Sequence, residues 1–170
     1  MEAKIVFETE RMTLHHITED DLEDFCEMLS CPITTRFWPK SYDREESREW
    51  IYNFMLEYKT HNFGRWACRL KTTGEFVGYC GLKLQPNIDG KDELEVGYMF
   101  KPRFWNKGLA TEAAKASMNY AREHLGKSRI ISLIRPENLP SRRVAEKNGL
   151  LPEKEVIHKG FVHIVYVSNI

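Results

Sequence analysis

The residue pattern changes near Arg65 from helical spacing to an alternation every two residues. The alternation runs through three segments, residues 66–70, 76–84 and 93–100, with turn residues between them. Alternating apolar and polar residues bounded by turns predict strands. Three consecutive strands argue against a doubly wound nucleotide-binding fold, in which strands and helices alternate. We therefore expect a sheet that contains hairpins.

Apolar residues at helical spacing predict four helices around these strands. Gly126 would end the helix over 109–125, because glycine is favoured just after the last helical residue. The chain has no repeat, low-complexity linker or domain boundary, so residues 1–170 are expected to form a single α+β domain around a mixed sheet. The other predicted elements are an extended segment over 5–17, a helix from 18 to before Pro32, a helix from 41–43 to 61, a helix over 109–125, a strand over 129–134, a short helix over 141–148 and two final strands around Lys159-Gly160.

The charges of the chain are balanced, with 25 lysines and arginines against 25 aspartates and glutamates. A nucleic-acid-binding surface of surplus cations is therefore not expected. No apolar run approaches the roughly 20 residues of a membrane-spanning helix, and the first residues lack the features of a secretion signal. The four cysteines form no CxxC pair and have no histidine at metal spacing. We expect a reduced, cytoplasmic, metal-free protein that binds neither membrane nor nucleic acid.

The junction between the strand over 93–100 and the helix over 109–125 carries the strongest functional signal. The first N–H groups of a helix have no intrahelical partner and can bind an anion. Gly108 tolerates a positive φ and lets a phosphate approach the backbone closely. The consecutive amides from Asn106 to Thr111 are therefore candidates to bind a pyrophosphate. A loop glycine before an alanine-rich core helix would show the same local pattern.

Three segments, in the right order and spread over nearly the whole chain, carry a resemblance to a known family. Residues 98–113, YMFKPRFWNKGLATEA, resemble the acetyl-CoA signature of the GNAT superfamily of N-acetyltransferases. More narrowly, they are similar to the branch of the ribosomal-protein N-terminal acetylases RimJ and RimL. Residues 7–15, FETERMTLH, resemble the opening strand of that branch, and residues 135–150, RPENLPSRRVAEKNGL, resemble its late segment.

The resemblance implies a fold and a cosubstrate. The fold would be a mixed, mostly antiparallel seven-stranded sheet, splayed into a V between its fourth and fifth strands and flanked by about four helices. Acetyl-CoA would lie in the cleft with its pantetheine arm along the fourth strand. Relatives also make a homodimer plausible, and no metal is implied. Trp105 and Asn106 depart from the wider pattern, but a turn that binds through backbone amides tolerates both.

Carried over by position, the resemblance also assigns residues that bind acetyl-CoA. Asn138 would hydrogen-bond the pantetheine arm. The other groups are the backbone of Tyr98, Met99 and Phe100 for the pantetheine, and the amides of Asn106, Lys107, Gly108, Leu109, Ala110 and Thr111 for the pyrophosphate.

Direct attack of an amine on a thioester requires a base, an oxyanion site and a proton donor. Glu95 and Glu93 lie on one face of their strand and are candidate bases, although a solvated, charged strand edge explains Glu95 equally well and Glu93 better. The backbone N–H of Tyr98 or Met99 is the candidate oxyanion donor. Ser141 matches a serine proposed as the acid in the closer branch, yet serine after a proline is also a favoured helix cap. Tyr166 is a weaker candidate for the acid.

The acceptor is a primary amine, either a protein N-terminus or a small molecule. An α-amine has a pKa near 8 and a lysine near 10.4, so deprotonating the lysine costs roughly 3 kcal/mol more. A weakly defined base therefore favours an α-amine or another amine of low pKa. One other class stays open, a non-catalytic acetyl-CoA-binding or regulatory module of the same fold. The three consecutive strands argue against a nucleotide or dinucleotide binder.

Overall fold

The computed structural model describes residues 3–169, and within them it contains eight strands and four α-helices. The strands are β1 (Ile5–Glu8), β2 (Met12–His16), β3 (Arg65–Leu70), β4 (Phe76–Ile88), β5 (Lys91–Phe100), β6 (Arg129–Ile134), β7 (Leu151–His158) and β8 (Phe161–Asn169). The α-helices are α1 (Leu22–Ser30), α2 (Arg44–His61), α3 (Leu109–Leu125) and α4 (Leu139–Lys147). None of these helices has the length and apolar character needed to cross a bilayer.

The eight strands form one sheet in the order β1-β2-β3-β4-β5-β6-β8-β7. All neighbours are antiparallel except β5 and β6, which run parallel. The β4–β5 ladder extends along most of both strands, whereas β5 and β6 share a single register pair, Glu95 with Ile131. The sheet therefore opens between β5 and β6 beyond Glu95. These are the fourth and fifth strands of the predicted order, so the predicted splay is confirmed.

The sheet has eight strands, and the prediction of seven is wrong in this respect. The segment over 5–17 reverses direction between β1 and β2, which pair antiparallel with Glu8 opposite Thr13. The backbone N–H of Thr9 donates to the Met12 carbonyl at 2.8 Å and closes the turn. The polar residues at positions 8–10 thus mark a hairpin turn and not an irregularity within one strand.

Capping residues mark the start of α2 and both ends of α3. Asp43 and Glu46 form a reciprocal cap at the start of α2, in which each carboxylate accepts from the other residue's backbone N–H at 2.9 Å. Helix α3 lies between two glycines in the left-handed region, Gly108 with φ 77° and Gly126 with φ 62°. Helix α4 begins earlier than predicted, because Asn138 and not Ser141 is its N-cap.

The helices cover both faces of the sheet, and the core has a part on each face. Strand β4 reads as a continuous apolar run in its first half because both of its faces are buried there. On one face, α1 and α2 pack Phe25 and Phe54 against Tyr79 of β4 and Met99 of β5. On the other face, α3 packs its small apolar residues against the remaining side chains of β4 and β5. The open edge of β5 lies between these two layers.

Candidate active site

The opening between β5 and β6 exposes backbone groups of β5. The carbonyl of Val96 accepts from a serine hydroxyl of β6 at 3.1 Å, and that of Phe100 accepts from the indole N–H of Trp105 at 2.7 Å. Both carbonyls therefore point away from β4, and strand alternation turns the N–H and C=O of Tyr98 in the same direction. The peptide groups of Met99 point toward β4. Tyr98 thus presents its backbone to the opening.

Two left-handed residues fold the turn before α3, Asn106 with φ 58° and Gly108 with φ 77°. A Cβ placed on Gly108 would meet only Arg11 Nη2, at 3.4 Å, so the backbone at Gly108 is accessible. The turn lines a cavity of about 610 Å³, bordered by α3 and α4, which we call the helix-side cavity. Of the nine β5 and turn residues predicted to bind acetyl-CoA, only Lys107 does not line it. The other eight are Tyr98, Met99, Phe100, Asn106, Gly108, Leu109, Ala110 and Thr111.

Three basic residues also line the helix-side cavity: Arg36, Arg143 and Lys147. None of them forms a salt bridge with a carboxylate in the part of the chain that the structure describes. They therefore offer positive charge to phosphates. None of the three is among the residues predicted from the sequence. The spacing of four residues between Arg143 and Lys147 is a usable signal, because such residues share a helix face. Arg36 lies in the loop after α1, and no sequence pattern points to it.

The start of α4 brings Asn138 and Ser141 to Tyr98. The Oδ1 of Asn138 accepts from the backbone N–H of Ser141 at 3.2 Å, which makes Asn138 the cap of the helix. The hydroxyl of Tyr98 donates to the Ser141 carbonyl at 3.0 Å and lies 2.9 Å from the Ser141 hydroxyl. Burial raises the pKa of the Tyr98 phenol, so it stays protonated at neutral pH. Two hydroxyls therefore meet at the mouth of the opening.

A second cavity, of about 500 Å³, lies on the α2 face of the sheet, and we call it the sheet-side cavity. Its floor contains Gly97 of β5, where an added Cβ would meet no atom within 4 Å. The hairpin between β7 and β8 covers one side of it. The two cavities share five residues, so they are continuous at the β5–α4 contact: Phe37, Trp38, Tyr98, Asn138 and Ser141.

The two candidate bases have different surroundings. Glu95 lines the sheet-side cavity, where its Oε1 accepts from Gln85 Nε2 at 2.8 Å and its Oε2 accepts from the backbone N–H of Leu133 at 3.1 Å. Glu93 is buried and bonds Arg129 through both carboxylate oxygens, at 2.8 to 3.1 Å. Because its carboxylate pairs with Arg129, Glu93 stabilises the sheet. Glu95 is the carboxylate that can bind a ligand.

Tyr166 lies in the core and not at the cavities. Its hydroxyl accepts from Arg142 Nε at 2.9 Å and donates to Glu146 Oε1 at 3.2 Å, which ties β8 to α4. Among residues 3–169, no cluster of three or more His, Cys, Asp or Glu side chains could hold a metal ion.

Comparisons with known proteins agree with this architecture. The family profile of the acetyltransferase (GNAT) domain matches residues 11–151. YnaD of Bacillus subtilis, described as an uncharacterized N-acetyltransferase, is 42% identical over 155 residues, which cover 89% of this chain and 88% of YnaD.

Two solved structures show the same fold. The GNAT-family acetyltransferase of Bacillus anthracis superposes with a TM-score of 0.78 at 26% identity and covers 94% of each chain. RimL, a ribosomal L7/L12 α-N-protein acetyltransferase in complex with coenzyme A, superposes with a TM-score of 0.75 at 16% identity, covering 97% of this chain and 96% of RimL. The family predicted from three sequence segments is thus confirmed, and the chain shares the fold of the RimJ/RimL branch. The profile, the relatives and the fold agree that this chain belongs to the GNAT superfamily and is an N-acetyltransferase of that family.

Proposed function

We propose that this protein transfers the acetyl group of acetyl-CoA to a primary amine by direct attack of the amine on the thioester. One observation carries the proposal: the helix-side and sheet-side cavities meet at Tyr98, Asn138 and Ser141. A donor in one cavity and an acceptor in the other would reach each other at this junction. The complex of the structural neighbour RimL with coenzyme A supports the identity of the donor.

The helix-side cavity offers groups suited to two parts of acetyl-CoA, its pyrophosphate and its pantetheine arm. The amides from Gly108 to Thr111 begin α3 and would hold the pyrophosphate. Arg143 and Lys147 add positive charge beside it. The backbone C=O of Tyr98 would pair with the pantetheine arm, as a neighbouring strand would, and the Asn138 amide would bind the same arm. When bound there, acetyl-CoA supplies an acyl group activated as a thioester.

Glu95 is the proposed base. The attacking amine must lose a proton, and the carboxylate of Glu95 accepts it directly or through a water molecule. Two neutral donors, Gln85 Nε2 and the Leu133 N–H, hold this carboxylate in the sheet-side cavity. They fix its orientation without neutralising its charge.

The residues where the two cavities meet would supply the other two groups, an oxyanion donor and a proton donor. Negative charge develops on the acetyl oxygen as the new C–N bond forms, and the backbone N–H of Tyr98 is placed to stabilise it. The C–S bond then breaks, and the sulfur needs a proton. Because the Tyr98 phenol can donate to the Ser141 carbonyl, the Ser141 hydroxyl is left to donate to the sulfur. One proton thus leaves the amine for Glu95 and then for solvent, and one reaches the thiol from Ser141, whose hydroxyl regains a proton from solvent as the C–S bond breaks.

The acceptor of this reaction is a protein N-terminus or a small-molecule amine. The experiment that tests the function is calorimetric titration of acetyl-CoA and coenzyme A, followed by measurement of thiol release over a panel of α-amines, lysine derivatives and small amines. Binding with turnover on any amine supports the proposal. Binding without turnover across the panel would instead indicate a non-catalytic acetyl-CoA-binding module. Failure to bind either ligand would contradict the assignment of the helix-side cavity.

A further inference from the structure

The charged side chains of the sheet-side cavity are incompletely paired. Of its four lysine and arginine residues, Arg65 pairs with Glu57 of α2, and Arg135 pairs with Glu137 at 2.7 Å. The other two are Lys83 of β4 and Lys159 of the β7–β8 hairpin, and neither forms a salt bridge within residues 3–169.

Lys83 is the more enclosed of these two lysines. It is half-buried, and the carboxylate nearest in the sheet register, that of Glu95, lies directly opposite it on β5. Glu95 nevertheless bonds Gln85 and Leu133, and no hydrogen bond or ion pair joins it to Lys83. Burial lowers the pKa of Lys83, and the positive charges of Arg65 and Lys159 lower it further. The negative charges of Glu57 and Glu95 act in the opposite direction, but neither carboxylate forms an ion pair with Lys83 among the described residues.

Lys83 and Glu95 therefore carry opposite charges on adjacent strands, and no ion pair joins them. Directly opposed residues of an antiparallel pair have Cβ atoms about 5 Å apart. A ligand that carries a primary amine and a carboxylate a few bonds apart matches this arrangement, with its ammonium toward Glu95 and its carboxylate toward Lys83. A ligand with several positive charges would meet Lys83 and Lys159 and be repelled.

One wall of the same cavity is aromatic. The ring of Trp50 packs against Trp38 with centroids 5.1 Å apart and against Tyr42 at 5.2 Å, and all three residues line the cavity. Trp38 is 38% exposed. An aromatic ligand would stack on such a wall. The sheet-side cavity therefore combines a charge pair with a flat apolar surface.

We propose that the acceptor is a primary amine that also carries a carboxylate and an aromatic body, with Lys83 binding the carboxylate. This inference rests on the proposed acetyl transfer and names the substrate class of the same site. The carboxylate could belong to a free amino acid or to an acidic residue that follows the N-terminus of a peptide. The experiment separates these two sources.

The first measurement compares kcat/KM for matched acceptors. The panel contains phenylalanine, phenylalaninamide, phenethylamine, a phenylalanyl-aspartate dipeptide amidated at its C-terminus and a linear diamine. We expect phenylalanine to exceed its amide and phenethylamine by roughly tenfold or more, the value of one hydrogen bond to a charged group. A preference for the dipeptide over phenylalanine would assign the carboxylate to a peptide. Equal rates for phenylalanine and its amide, or a preference for the diamine, would overturn the inference and leave the proposed function intact.

Variants of Lys83 test the residue itself. Lys83→Gln should reduce the preference for the acid over the amide by roughly tenfold, and Lys83→Arg should retain most of it. Lys115→Gln is the matched control, because Lys115 is exposed on α3 and lines neither cavity. An unchanged preference in Lys83→Gln would refute the role of Lys83.

A binding readout that is independent of turnover uses the tryptophans of the cavity wall. N-acetylphenylalanine, the expected product, should change the fluorescence of Trp38 and Trp50 at lower concentration than its amide does, and Lys83→Gln should abolish the difference. Equal affinities of acid and amide in the wild type would contradict the inference. Absence of turnover on every acceptor, with acetyl-CoA still bound, would overturn the proposed function and the inference with it.

Discussion

Arg11 binds the turn before α3 from outside, since its Nη1 donates to the carbonyl oxygen of Lys107 at 2.8 Å. The same guanidinium bonds Glu112, in the first turn of α3, through Nε at 2.7 Å. The β1–β2 turn thus fixes a backbone carbonyl between the two left-handed residues Asn106 and Gly108. This contact explains why Lys107 does not line the helix-side cavity: its carbonyl is held toward Arg11.

We expect Arg11→Gln to weaken coenzyme A binding, because the carbonyl of Lys107 loses its partner and the neighbouring amides lose their fixed orientation. The dissociation constant should rise roughly three- to tenfold, as expected for one charge-assisted hydrogen bond at a partly exposed site. The free energy of unfolding should fall by less than about 1 kcal/mol. Calorimetric titration with coenzyme A measures the first quantity, and urea unfolding measures the second.

Arg48→Gln is the control for Arg11, because Arg48 makes a single exposed ion pair on α2 with Glu45 at 3.0 Å. It should leave coenzyme A affinity at the wild-type value. Equal affinities of Arg11→Gln and the wild type would show that the turn holds its shape without Arg11.

Glu95→Gln should lower activity with little effect on stability, whereas Glu93→Gln should lower stability with little effect on activity. Glu95→Gln removes the proposed base, so kcat/KM should fall by roughly a hundredfold or more, with little change in unfolding free energy. Glu93→Gln removes the charge that Arg129 pairs with in the buried edge of the sheet, so unfolding free energy should fall by about 1 to 3 kcal/mol. Its kcat/KM per folded molecule should stay near the wild-type value.

Thiol-release kinetics and urea unfolding, run on both variants, check this pair of predictions. A hundredfold loss of kcat/KM in Glu93→Gln with unchanged folding would assign the base to Glu93.

The order of elements could be predicted from the sequence because local residues decide it. Gly126 ends α3, and the helix bounds of 109–125 match those predicted. The eighth strand could not be predicted from alternation alone, because a turn at Thr9 and an irregular strand have similar local sequences. Likewise, the proline before Ser141 favours Ser141 as the helix cap, whereas the cap is Asn138, whose side chain accepts from the Ser141 N–H.

The roles of individual site residues depended on contacts from distant segments. Glu93 and Glu95 share a strand face, and only Arg129, which lies on β6, distinguishes them. No sequence pattern points to Lys83, because its importance lies in having no ion-pair partner in the described structure. Sequence patterns could therefore locate the coenzyme-binding turn, while the acceptor side required the packing of β4, β5 and the β7–β8 hairpin.

We expect Gly108→Ala to impair coenzyme A binding as well as stability. A non-glycine residue in the left-handed region costs about 1 kcal/mol, and relief of that strain would move the amides that follow. Coenzyme A affinity should fall roughly tenfold. Gly126→Ala is matched in conformation, with φ 62° and no atom within 4 Å of an added Cβ, and it lies at the other end of α3.

Gly126→Ala should therefore lose a similar amount of unfolding free energy and keep its coenzyme A affinity. Denaturant unfolding and calorimetric titration on both variants provide the comparison. Equal loss of affinity in the two variants would mean that general destabilisation, and not the geometry of the turn, is responsible.

Alkaline pH should destabilise the fold through its buried thiols. Burial raises the pKa of the Cys80 thiol from 9.0 to about 12. Above about pH 9 the unfolded chain loses this proton while the folded chain keeps it, so the free energy of unfolding falls as pH rises. One such group contributes a loss of about 1 kcal/mol between about pH 9 and about pH 10.

Cys80→Ala should remove that share of the pH dependence of the unfolding free energy, measured by denaturant titration under reducing conditions. Val77→Ala, on the same buried strand, should lower stability equally at about pH 9 and about pH 10. Identical slopes in the two variants would mean that Cys80 ionises as readily in the folded chain as in the unfolded one.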